Sequence, residues 1–320
     1  MISEKDYKVN SPLDNYFMKP YYLNRLGLVY PISLYEYDDF SPLASEFILL
    51  DMPKRNNLAK QQFEKAKTEG IIDYSIKFEP LEQTHLFDWI TSSIEHNKEQ
   101  EEVYKEIKEK TKGLPQEQIE EVIKENENCR ELIVRALNYN GKSVKDYICE
   151  LISMTVKHEV VYEYVTKCFC IIKDNEIIGV LDRDNFYEYR KVVMEQNVLH
   201  EPRVGGNVQS QEYIDRELKV LYGDNESSVE SMVAFVSSSN SRDISDYTYY
   251  RLKADFIMEM RKLDYSVTNN YNANGCKTKD GGSISVPSIT EPLGLDVNPY
   301  TKNAKSISEK DMNRTTMTRW

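Results

Sequence analysis

The chain has 320 residues and a mass of 37.5 kDa, with 40% hydrophobic and 29% charged residues, enough apolar material for a core of ordinary size in one large domain or two smaller ones. Its 53 Asp and Glu outnumber 41 Lys and Arg, and the resulting net charge of -12 argues against a general attraction to nucleic acid or anionic lipid, leaving proteins as the expected partners. The apolar runs, such as Cys168 to Ile172, fall far short of the ~20 residues of a membrane helix, and the opening MISEKDYKVN has no apolar signal core, so a cytoplasmic protein without membrane contact is expected. Five irregularly spaced cysteines (Cys129, Cys149, Cys168, Cys170, Cys276) suit a reducing compartment better than a disulfide framework.

Tyr21 to Ile32 alternates apolar and polar positions around Gly27, the pattern of a small hairpin. Ser33 and Glu36 form a Ser-x-x-Glu capping box, and Leu34, Tyr37, Phe40 and Leu43 or Ala44 recur at helical spacing, predicting a helix to about Leu50 despite Pro42. Residues 54–69 read as a second helix closed by Gly70, and Ile71 to Phe78 is compatible with a strand. From Leu81 to about Glu109 and from Pro115 to Leu137 the chain is rich in Glu, Lys and Gln around a Gly113-Leu114-Pro115 break, predicting a helical hairpin that projects into solvent. The apolar positions hold no strict seven-residue repeat, so solvated helix faces are preferred to a coiled coil.

Ser143 opens a helix predicted to run to about Lys167, with Val144, Tyr147, Ile148, Leu151, Ile152, Met154 and Thr155 as a wide apolar stripe. Two β-branched runs around Lys173-Asp174-Asn175-Glu176 predict a β-hairpin over 168–181. Asp184 or Asn185 caps a helix through about Gln196, and an amphipathic helix follows over 209–222. Another helix begins at Ser228 and is expected to break at Ser237-Ser238-Ser239, after which Asp243 or Ser245 caps a last long helix. Beyond Asn269 the composition turns to Asn, Gly, Ser, Thr, Lys and Pro, which cannot offset the entropy of ordering. The expected fold class is α+β, mainly α-helical, with one or two small β-hairpins and a protruding helical hairpin. Four regions follow: hairpin plus helices (1–80), an acidic helical insertion (81–142), a helical core (143–269) and a flexible arm (270–320). The core is expected to draw on residues 20–80 and 143–265.

Signatures of catalysis are sparse. Asp182 and Asp184 follow a predicted strand and could converge on a divalent metal, the basis of a metal-dependent hydrolase reading, but Asp184 is also placed to cap a helix and no third acidic ligand is set by spacing. The four histidines are isolated, Cys168-x-Cys170 is not a Cys-x-x-Cys pair, and the Gly pairs at 205–206 and 281–282 lack the residues of a phosphate loop. No Gly-x-Ser-x-Gly elbow is present. An enzyme is therefore the weaker class, with no catalytic residue, metal or cofactor expected. Aromatic residues at helical intervals, Tyr247, Tyr250 and Phe256 in the last helix and Phe186 and Tyr189 after Asp184, suit helix packing better than base stacking and are the candidate partner-binding residues.

Three stretches carry a resemblance. Asp184 to Asn197 (DNFYEYRKVVMEQN) resembles a segment of tail assembly proteins of phages infecting Gram-positive bacteria. Val229 to Ser238, followed by Tyr247 to Leu252, is similar to that family's apolar helix, Ser-rich break and Asp-capped helix, and Leu28 to Phe40 resembles its opening strand and helix. They follow one another in the family's order between Leu28 and Leu252, whereas the acidic stretch 95–130 and the polar arm after 270 depart from it. The resemblance implies a non-catalytic tail assembly chaperone of the host cytoplasm, with a tape-measure or tube subunit as partner and a homo-oligomer compatible. A structural tail or baseplate component and a host-directed phage factor are the alternatives.

Overall fold

A computed structural model describes residues 11–115, 118, 143–222, 228–240, 243–286, 288–290 and 293–295. The fold is α+β and mainly helical. Nine helices are present among the described residues: α1 (Pro12–Tyr16), α2 (Leu34–Phe47), α3 (Met52–Thr68), α4 (Leu86–Thr111), α5 (Val144–Val156), α6 (Phe186–Gln196), α7 (Val208–Tyr222), α8 (Val229–Asn240) and α9 (Tyr249–Ala273). The strands are β1 (Tyr21–Leu23), β2 (Gly27–Val29), β3 (Glu159–Glu163), β4 (Cys168–Lys173) and β5 (Glu176–Leu181). β1 and β2 form an antiparallel pair, and β3-β4-β5 an antiparallel meander in that order.

Local chemistry accounts for most boundaries. Glu36 reaches back to the Ser33 backbone N–H and hydroxyl at the start of α2, and Ser143 and Asp146 form the reciprocal box that starts α5. α3 begins where the Asp51 carboxylate accepts from the Lys54 N–H at 3.1 Å. The turn between β4 and β5 places Asp174 and Asn175 at φ +52° and +65°, the paired positive angles of a tight hairpin that Asp and Asn tolerate better than most residues.

The main core lies between the inner face of the β3-β4-β5 sheet and helices α2, α4, α5 and α6. Val160, Tyr162, Phe169, Ile171 and Leu181 face it from the sheet, and Leu151, Ile152, Tyr189 and Val193 from α5 and α6. Several polar groups in this interior are paired, while the Tyr162 hydroxyl and the Gln196 Oε1 have no hydrogen-bond partner among the described residues. The Tyr189 and Thr155 hydroxyls lie 2.9 Å apart, Asn197 accepts from the Ile32 N–H at 3.0 Å, and the Gln196 amide donates to the Val29 carbonyl at 3.1 Å. A second cluster joins α8 to α9 through Met232, Val236, Tyr247 and Leu252.

Several expectations are corrected. The helix from Ser143 ends at Val156, not near Lys167, with Lys157 in the left-handed region at φ +59°, and β3 follows. Glu159, Val160, Val161, Tyr162 and Glu163 alternate exposed and buried, a period of two that the paired valines disguise as a helical continuation. Ile71 to Phe78 is no strand: Asp73 holds a turn by accepting from the Ser75 N–H at 2.7 Å, and Ile71, Tyr74 and Ile76 are exposed. α4 does not simply project, because Leu86, Phe87, Ile90 and Ile94 are buried in the main core. The serine triplet does not break α8, since Ser238 donates back to the Phe235 carbonyl at 3.0 Å and the helix runs on to Asn240. Thr248, not Asp243 or Ser245, caps α9. The helix predicted over 115–137 falls almost wholly outside the described residues, as does the end of the arm from 296 onward. At the start of the arm α9 extends to Ala273, and Lys277 and Ser283 form a bridge among mostly exposed residues; further on, Leu295 is buried.

One polar knot fastens the end of α2 to the chain after α6. Arg190 donates to the Ile48 and Leu49 carbonyls and to Glu201, which also pairs with Lys54 at 2.8 Å and accepts from the Asp51 N–H at 2.7 Å. Burial pushes the Glu201 carboxyl up, but its bonds to Lys54, the Asp51 N–H and Arg190 outweigh that and hold it below its ordinary value of 4.5. A carboxylate with a depressed folded-state pKa contributes stability that is complete above its unfolded value and is lost as pH falls through the folded one. The melting temperature should therefore fall as pH drops below about 4.5. In thermal melts recorded from pH 6 to 3, Glu201→Gln should show a shallower fall; an unchanged slope would remove Glu201 from the acid response.

Candidate partner-binding surface

The aromatic residues singled out by helical spacing are mostly interior. Phe186, Tyr189, Tyr247 and Tyr250 are each 3% exposed or less, so in this fold they build the core and offer no surface to a partner. Phe256 is half-buried, edge-on to Phe235 at 5.4 Å between α8 and α9. The regular spacing marked the core side of each helix, because a stripe that packs within the chain and one that packs against a partner have the same period. Tyr247 also takes part in a polar contact that spans two helices. Its hydroxyl and that of Tyr16 donate to Asp255 at 3.0 and 2.9 Å, with the Arg251 guanidinium over both rings.

The Asp182-Arg183-Asp184 turn is consumed by the fold. Asp182 pairs with Arg25 through one carboxylate oxygen and accepts from the Asp184 and Asn185 N–H groups with the other, holding the turn just ahead of α6, which has no side-chain cap bond. Asp184 is exposed and 3.8 Å from the same arginine, and Arg183 grips Asp88 through Nε at 2.9 and 3.0 Å. Asn185, the residue before α6, bonds the Asp182 N–H and the Val180 carbonyl instead of capping the helix itself. Among the described residues no group of three or more His, Cys, Asp or Glu side chains could hold a metal ion.

The outer face of the three-stranded sheet has a different character. Register places Glu159, Ile172 and Ile177 in one cross-strand row and Val161, Cys170 and Val180 in the next, with Glu163 beside Cys168. These residues point away from the core that Val160, Tyr162, Phe169, Ile171 and Leu181 fill on the other side. A solvated sheet face normally carries polar residues at such positions. Here Val161 is 46%, Ile177 61% and Ile178 48% exposed, with Val165 exposed at the β3-β4 turn. Cys168 and Cys170 are buried at the centre of the patch with their sulfurs 3.9 Å apart, and burial pushes the Cys170 thiol up to about 11, so it stays protonated and packs as a small apolar group. Glu159 and Glu163 border the patch along β3.

This surface was missed by the search for helical stripes, although a signal was present. Cys168-Phe169-Cys170-Ile171-Ile172 and Ile177 to Leu181 are apolar at both odd and even positions, and strands of that kind are covered on both faces in most proteins. The chain's own helices cover the inner face.

No protein-family model matches the chain, and no solved structure matches it. A curated protein of Bacillus subtilis (strain 168), the SPbeta prophage-derived uncharacterized protein YomV, is 23% identical over 157 residues, which make up 48% of this chain and 61% of that relative. The chain thus spans less than two thirds of the relative it matches.

Proposed function

We propose that this chain is a non-catalytic binding protein of phage origin, a tail assembly chaperone that holds an apolar segment of a tape-measure or tube subunit in the host cytoplasm before polymerisation. The observation that carries the binding role is the outer face of the β3-β4-β5 sheet, where Val161, Ile177 and Ile178 are exposed beside half-buried Ile172 and Val180, an apolar surface edged by glutamates. A surface of this kind loses water on contact with an apolar partner at about 25 cal/mol per Å² buried, while the chain's charge of -12 keeps the unoccupied protein and its complex dispersed. Two considerations support the phage setting: the prophage origin of the matched relative, and the resemblance of Asp184 to Asn197 and of the α8-α9 region to tail assembly proteins. No helix among the described residues is long and apolar enough to cross a membrane, which agrees with a partner met in solution.

Co-expression of the chain with a phage tape-measure subunit, together with mass spectrometry of purified particles, tests the chaperone role. The subunit should stay soluble only in the presence of the chain, and the particles should lack the chain. A subunit equally soluble alone would remove the chaperone role, and the chain's presence in particles would make it a structural component. Replacing Val161 and Ile177 together by lysine should leave stability within about 0.5 kcal/mol, since both side chains are exposed, while abolishing the solubilising effect.

A further inference from the structure

The outer sheet face has the footprint of one helix. Three strands about 4.8 Å apart make a strip about 10 Å wide, and five or six residues at about 3.3 Å each make it about 17–20 Å long, the width of one helix and about three to four of its turns. On the inner side of the same sheet the chain covers a face of this size with its own helices. Both edges of the sheet are engaged: the Val180 N–H of β5 donates to the Arg25 carbonyl at 2.7 Å, and the Tyr162 N–H of β3 is taken by the Cys149 sulfur on α5. A partner therefore meets the face and not an edge.

Charge on this face is one-sided. Glu159 and Glu163 stand exposed on β3, about 13 Å apart along the strand, while the β5 side carries Ile177, Ile178 and Val180. The basic residues in and beside the meander are turned to other acids. Lys167 pairs with Glu95 at 2.8 Å and Arg183 with Asp88 at 2.9 Å, both on α4, and Lys173 sits across from Glu176 beside the β4-β5 turn. The apolar strip thus has an acidic border along β3 and an apolar one along β5.

We propose that the sheet face seats an amphipathic helix of the partner, laid along the strands with its apolar stripe on Val161, Ile172, Ile177 and Val180 and with Lys or Arg residues about two turns apart on the flank that meets Glu159 and Glu163. The proposal rests on the reading of this face as the partner-binding surface, and adds the secondary structure and the charge of what binds there. The stripe supplies the desolvated area, while the two carboxylates at the rim fix the register of the helix and penalise a like-charged flank.

The probes are three fluorescent synthetic peptides of about 18 residues with the same leucine stripe at helical spacing. One carries lysine at two positions about two turns apart on one flank, one carries glutamate at those positions, and the third is the lysine peptide with a central proline. Titrated into the full-length chain, the lysine peptide should bind at least about tenfold more tightly than the glutamate peptide, and the proline peptide should not bind. Glu159→Lys with Glu163→Lys should reverse the preference, and Glu159→Lys alone, at an exposed side chain, should narrow it. Glu79→Lys with Glu82→Lys, exposed on the loop ahead of α4, makes the same change in net charge and should leave the preference intact. Equal binding of the lysine and glutamate peptides, equal binding of the proline peptide, the same effect from both pairs of charge changes, or no binding by any peptide would overturn the helix proposal. Where peptides bind without these preferences, the Val161→Lys/Ile177→Lys variant decides the surface separately: loss of binding there retains the sheet face as the partner surface, and unchanged binding removes it as well.

Discussion

Replacing Phe169 by alanine should lower the unfolding free energy by about 3–5 kcal/mol and the melting temperature by roughly 6–20 °C. Phe169, the second residue of β4, is fully buried and paired with Tyr162 on one side and Leu181 on the other. Its ring stands edge-on to Phe87 of α4 at 6.0 Å and against Tyr162 at 5.0 Å, so it joins the meander to the one long helix that enters the core from the acidic stretch. Truncation forfeits the transfer energy of the ring and leaves a void that backbone hydrogen bonds to both neighbouring strands prevent from collapsing. Chemical denaturation would read the loss directly, and a change below about 1 kcal/mol would mean that α4 does not rest on the sheet as described.

Gly179→Val should be nearly as damaging, for a reason unrelated to apolar burial. The turn of the β1-β2 hairpin lies against β5 so closely that a Cβ at position 179 would stand 2.2 Å from the Leu26 carbonyl oxygen and 2.9 Å from its carbon. That approach lets the Val180 N–H donate to the Arg25 carbonyl at 2.7 Å and brings Arg25 to Asp182. A side chain must push the two backbones apart, breaking this link at a cost of about 1–3 kcal/mol or more. Gly206, with open space around its Cβ position and no positive φ, is the control, and its alanine variant should be almost neutral. Denaturant melts of the two variants, with hydrogen exchange at Leu26 and Val180, would separate the outcomes; equal stability of Gly179→Val and Gly206→Ala would rule out the close approach.

These two positions show which part of the fold was open to reading. The starts of α2 and α5 and the β4-β5 turn were legible because the residues that make them act locally: Ser33 with Glu36, Ser143 at the start of α5, and Asp174-Asn175 between two β-branched runs. β3 was hidden because the residue that ends α5 in a left-handed conformation is Lys157 and not a glycine, so the sequence carries no stop signal before the alternation from Glu159 begins. Leu295 was hidden for the opposite reason. A composition average over a polar segment rules out a core but not a single anchored side chain, and the seat for this one is built from residues far away in the chain. The candidate surface left no helical stripe in the sequence, because its exposed apolar residues lie on strands. Where the site residues were expected, on Phe186, Tyr189, Tyr247 and Tyr250, periodicity located buried side chains and could not say what buries them.

The most direct measurement is a pull-down of the tagged chain from cells expressing its neighbouring genes, run beside the Val161→Lys/Ile177→Lys variant and followed by mass spectrometry. The account predicts that the unaltered chain retains a tape-measure or tube subunit and that the variant, equally folded by its melting curve, retains neither. Retention of the same subunit by both proteins would contradict the assignment of the sheet face, and the absence of any tail subunit from both would contradict the assembly role itself.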